Sequence, residues 1–142
     1  MKIIESDFSA QILKFAQNQI GSIFFFNHVA VVELNEGVHF DSNNASFIID
    51  ELESYFGESQ PYGVIANRIN SYSVNLLDTP TFKERAKNLY AYGVVGHDLA
   101  GKMNAEMEND FCAADNIDYA NIDEAINEVY NKVRSSGLFF LS

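Results

Sequence analysis

The stretch PYGVIANRINSYS, residues 61–73, decides how this chain folds. Tyr62 to Ala66 is a compact apolar run, and it gives way abruptly to Asn67, Arg68, Asn70, Ser71, Tyr72 and Ser73. The run reads as a buried strand. A strand that empties into polar side chains at its carboxyl end is where open α/β sheets usually keep their working residues.

Upstream of this strand, residues 10–16 (AQILKFA) and 22–26 (SIFFF) read as short strands separated by Asn18 and Gly21. Asn27 and His28 make a tight turn into 29–35 (VAVVELN), whose β-branched residues predict an antiparallel partner for the preceding strand. From Asp41 the period changes. Ala45, Ile48, Ile49, Leu52, Tyr55 and Phe56 recur every three or four residues, with Asp50, Glu51, Glu53 and Ser54 opposite, which predicts an amphipathic helix capped by Asp41 or Ser42 and ended by Gly57.

Downstream, Thr79 and Pro80 read as a cap and first turn leading to Phe82, Ala86 and Leu89 on one helical face. Residues 89–96 (LYAYGVVG) return to strand character, and Leu99, Met103, Met107 and Phe111 predict a third helix. Ile117 to Tyr119 is short enough for a final strand. Asn121 with Glu124 approximates a capping box for a helix carrying Ile122, Ala125, Ile126, Val129, Tyr130 and Val133. The order predicts an α/β fold: an N-terminal antiparallel meander, then parallel strands joined by right-handed crossovers, packed by about four α-helices.

The chain has 142 residues, the size of one domain with a single core, so residues 1–142 are read as one unit with 1–8 and 137–142 as peripheral segments. Hydrophobic residues make up 47% and charged residues 20%, a globular balance. The formal charge of −11 repels phosphate backbones and anionic membrane surfaces, which argues against nucleic acid. No apolar run approaches the roughly 18 residues of a membrane helix. Glu5 and Asp7 interrupt the place a secretory signal would occupy, and the single Cys112 precludes an intramolecular disulfide or a cysteine-based metal cluster; a reducing cytoplasm is expected.

This element order, with VVELNEGVHF at 31–40, VIANRINSYSVN at 64–75 and AYGVVG at 91–96, resembles the STAS-like domains of the SpoIIAA-like, anti-sigma-factor-antagonist type. It is similar to the small branch found as single-domain bacterial proteins of unassigned role. The resemblance covers the chain from the first strand to the last helix. It implies a STAS-like mixed sheet, and a serine in the loop after the central strand whose phosphorylation controls partner binding. Ser71 and Ser73 fall in that loop. The family's acidic residue, serine and glycine cluster is replaced here by Asn70, Ser71, Tyr72, Ser73 and Val74.

Asn67, Arg68, Asn70, Tyr72 and Ser73 are the candidate partner-binding or ligand-binding residues, since amides and a fixed cation can recognise a carboxylate, a phosphate or a partner side chain. The competing reading pairs Arg68 with Glu33 or Glu36 and leaves the Asn and Ser residues to satisfy turn amides. Glu33 and Glu36 are expected on a solvated edge. The three histidines, His28, His39 and His97, lack metal-ligand spacing, so no metal and no cofactor is expected. Ser73, His97 and an acidic residue can be drawn as a hydrolytic triad, but the G-x-S-x-G elbow is missing. VVGHDLAGKM departs from phosphate-loop spacing. The terminal GLFFLS requires cover, within its own domain or in a homodimer.

The chain is therefore expected to be a non-catalytic protein-interaction or regulatory domain acting through the 67–73 loop. The alternative is a carrier or enzyme for a small apolar or anionic ligand held between sheet and helices, with Phe24, Phe25, Phe26 and Phe40 lining the concavity.

Overall fold

The computed structural model describes residues 1–57, 59–96 and 118–136. Six strands form one twisted mixed sheet: β1 (Lys14–Asn18), β2 (Gly21–Phe25), β3 (Val29–Leu34), β5 (Tyr62–Arg68), β7 (Leu89–Gly96) and β8 (Asp118–Tyr119), side by side in that order. The pairs β1/β2 and β2/β3 are antiparallel, and β3/β5, β5/β7 and β7/β8 are parallel. A second, two-stranded parallel ribbon pairs β4 (His39–Phe40) with β6 (Ser73–Val74). The mixed α/β sheet is as expected. Three α-helices occur among the described residues, α1 (Ala45–Phe56), α2 (Thr79–Arg85) and α3 (Ile122–Arg134), where about four were expected. The helix expected over Leu99–Phe111 lies outside the described residues, as do His97, Cys112 and GLFFLS.

The turn at Asn27 and His28 closes the β2/β3 hairpin through Phe26 N–H donating to the Val29 carbonyl at 2.8 Å, and His28 takes φ 65°, which a non-glycine residue reaches at some strain. Strand periodicity then distributes the apolar residues between two cores. Phe24, Phe26, Val29, Val31, Ile65 and Val95 face α3, packing on Ile126, Val129 and Val133. Ile23, Phe25, Ala30, Val32, Tyr62 and Val64 face α1. With both faces covered, β2 and β3 carry consecutive apolar residues, at 23–25 and 29–32, rather than alternating ones.

Side chains missing from β5 and β7 set how closely α3 approaches. A Cβ on Gly63 would collide with Val129 Cγ1, and one on Gly93 would sit 2.8 Å from Tyr119 Cε2. At its start α3 is capped as the sequence implies: Asn121 Oδ1 accepts from Glu124 N–H at 2.8 Å. At the start of α1 the expectation needs correction: the N-cap is Asn44, without a side-chain cap bond, and Asp41 Oδ1 instead accepts from the amides of Asn43 and Asn44 at 3.0 Å in the turn before the helix, whereas Gly57 ends the helix at φ 84° as expected.

Three further expectations need correction. The first strand begins at Lys14 rather than residue 10, because Ser6 Oγ accepts from Phe8 N–H and donates to the Ile3 carbonyl, and the resulting turns lead into a 3-10 turn at Ser9–Gln11. Thr79 lies within α2, with Asp78 at its N-cap, and Leu89 already belongs to β7. Residues 1–8 contribute a fully buried side chain, Ile3, to the α3-facing core.

Candidate functional site

The carboxyl end of β5 is where the sequence pointed, and the decisive geometric fact is that β5 runs to Arg68, two residues beyond its apolar run. Successive strand residues project to opposite faces, so Asn67 and Arg68 are separated by the sheet itself. Both are buried, at 0% and 3% exposure.

On the α3 face, Asn67 Nδ2 donates to Glu33 Oε2 at 2.7 Å and to the Met1 carbonyl at 2.8 Å. Glu33 Oε2 also accepts from the Ile3 amide at 2.7 Å. Asn67 and Glu33 thus pin the N-terminal segment to the sheet. Glu33 is buried rather than on a solvated edge. Burial pushes its carboxyl above the usual glutamate range, a shift opposed by the Ile3 and Asn67 hydrogen bonds and by the positive charge of Lys2.

On the α1 face, the Arg68 guanidinium lies 3.7 Å from the centroid of the Tyr72 ring, and its Nη2 donates to the Tyr72 carbonyl at 2.7 Å. Arg68 is a clasp that closes the turn over residues 69–72. Asn70 Nδ2 donates to the Leu34 carbonyl at 3.1 Å, tying the same turn to β3. Tyr72 is buried, with its ring in the α1-facing core.

Of the residues singled out, Ser71 and Ser73 are exposed. The Ser71 amide donates to Glu36 Oε2 at 2.8 Å, and Gly37 N–H donates to the Ser71 carbonyl at 2.8 Å. Ser73 Oγ lies 2.7 Å from His39 Nδ1, with the β4/β6 ribbon continuing through Ser73 N–H to the Val38 carbonyl and Asn75 N–H to the Phe40 carbonyl. Glu36 therefore braces the turn through Ser71, and Arg68 turns to Tyr72. The paired loops after β3 and β5 form one braced platform with Glu36, His39, Ser71 and Ser73 on its outer side.

The meeting of His39 with Ser73 and the β4/β6 pairing are not legible in the sequence. Two-residue strands carry too little periodicity to be seen, and only the shared carboxyl-end position of the two loops could have suggested that they meet.

Beneath this platform lies an apolar cavity of about 90 Å³, lined from the sheet by Val32, Leu34, Val64, Ala66, Leu89 and Tyr92 and from the helices by Ile48, Ile49, Leu52, Phe82 and the adjoining Ala86. Phe40, Tyr72 and Val74 close the platform side. Of the phenylalanines expected in such a concavity only Phe40 lines it. Phe24 and Phe26 face α3, and Phe25 packs on Tyr55 and Phe56.

Among the described residues no group of three or more His, Cys, Asp or Glu side chains could hold a metal ion, and no helix is long and apolar enough to cross a membrane. No protein-family model, curated protein or solved structure matches the chain.

Proposed function

We propose that this chain is a non-catalytic STAS-like protein-interaction domain whose contact surface is the braced platform of Glu36, His39, Ser71 and Ser73. The supporting observation is preorganisation. Backbone pairing, the Glu36–Ser71 bond and the Arg68 clasp hold these exposed side chains in place before any partner arrives, so association need not order the loop. The platform also stands at the carboxyl ends of parallel strands, the usual working edge of such sheets. A cytoplasmic protein partner belongs to this reading.

The regulatory half of the proposal concerns the two serines. A phosphate on Ser71 would place its charge beside the Glu36 carboxylate that braces the Ser71 amide, loosening the turn. A phosphate on Ser73 would instead meet His39, which can donate to it. The same residues thus offer a repulsive and an attractive response to modification.

Arg68 and Tyr72 are buried, so substituting them tests folding rather than contact. The informative comparison uses the full chain, Ser71→Arg, and Glu128→Arg on the exposed side of α3 as baits in lysate of the source cells. A partner retained by the wild type and by Glu128→Arg but lost by Ser71→Arg is the expected result. Equal recovery by all three baits, or none by any, would refute the platform as a contact surface.

A further inference from the structure

The apolar cavity between the sheet and α1/α2 is independent of the platform's outer surface. We infer that it is a binding site for a small, neutral, apolar molecule of about the size of a single aromatic ring. Protein interiors pack to crystal-like density, so an apolar opening of about 90 Å³ is a departure that leaves room for a guest. A buried water needs roughly 10–15 Å³ and two to four polar partners. The space is several times that volume, and among the described lining residues only Tyr72 and Tyr92 carry a polar side-chain atom.

Size and charge choose the occupant. A helix with its side chains is about 10 Å across, too wide for this volume between a sheet on one side and two helices on the other, so neither a partner helix nor a second copy of the chain fits. None of the described lining side chains is charged, and the chain carries a net charge of −11, so an anion would find neither a cation in the wall nor a favourable surrounding field. Arg68, the cation nearest in sequence to the lining residue Ala66, is committed to Tyr72. The Phe40 and Phe82 rings stand 5.3 Å apart at 45° where the platform side meets the helix wall, an arrangement whose faces and edges suit an aromatic guest.

Toluene and benzoate, which share a ring and differ in charge, are the probes. In the full chain labelled at its methyl groups, toluene is expected to shift the resonances of Val32, Ile48, Leu52 and Val64, leave Val31, Val129 and Val133 on the opposite face unmoved, and raise Tm. Benzoate at equal concentration is expected to do none of these. Ala86→Leu, which adds side-chain volume at the wall, should weaken toluene binding at least tenfold if circular dichroism shows it folded; the wild-type titration decides the matter whether or not that variant folds. Absence of cavity-face shifts up to the solubility limit of toluene, shifts distributed equally over both faces, or benzoate binding as tightly as toluene would overturn the inference. None of these readouts involves a protein partner, so this result and the platform experiment can fail separately.

Discussion

Glu33 and Asn67 face each other because each occupies an α3-facing position on adjacent parallel strands, and their meeting puts a carboxylate where water is scarce. Both bonds to Glu33 end on Oε2, so a glutamine can place its amide oxygen there and keep the two acceptor interactions without the charge. The folded chain holds the Glu33 proton more tightly than the unfolded chain does, because burial raises its pKa. Its contribution to stability is therefore fully present below the ordinary glutamate range and is lost as pH rises through the raised value. Glu33→Gln is expected to be more stable than wild type at neutral pH, by about 1 kcal/mol, with the advantage shrinking on acidification. Urea unfolding of both proteins across the acidic range measures this directly. An advantage that grows toward low pH would contradict it. In the sequence Glu33 looked like one more member of an acidic surface; its burial depends on what Ile3 and Asn67 bring from elsewhere in the chain.

At the scale of elements, α3 was legible almost residue by residue. Its apolar period and its Asn121 cap are local properties, and local hydrogen bonding realises them. How closely α3 lies against the sheet was not legible, because Gly63 and Gly93 look like weak strand residues until the helix that fills their space is known. Gly63→Ala is expected to destabilise the fold by about 2–3 kcal/mol, since its Cβ meets Val129 on a helix wedged against β5 and β7. Gly37→Ala has open space around its Cβ and only the strain of its φ of 80°, so its cost should be nearer 1 kcal/mol. Thermal unfolding of the pair separates close approach from backbone strain, and equal losses would remove the packing argument. The short strands β4 and β6 belong to this scale too. Each is too brief to announce itself, and each is a strand only because the other is beside it.

For the whole molecule, the charge of −11 is spread over 142 residues, and the ion pairs among the described residues include the modest Lys14–Glu51 bridge at 3.4 Å and Arg85–Asp50 at 3.2 Å. Self-repulsion should therefore weaken the compact state at low salt, where the screening length is roughly 30 Å, and ease near physiological salt, where it is about 8 Å. Raising NaCl across that interval should lift Tm by a few degrees, about what 1 kcal/mol is worth in a domain of this size. A flat or falling Tm would show that the repulsion is not felt. The layered α/β plan, the antiparallel start and parallel continuation of the sheet, the glycine end of α1 and the Asn121 cap of α3 were all readable from the chain, since they follow from local period, turn chemistry and chain handedness. What stands at the carboxyl end of β5 came from packing between distant segments. Two further residues of β5 carried Asn67 and Arg68 to opposite faces, turned the expected constellation into a brace and a clasp, and left the serines outside and an apolar space within; apart from the clasp, which joins Arg68 to the nearby Tyr72, these outcomes depend on contacts between segments 30 or more residues apart, which no local pattern encodes.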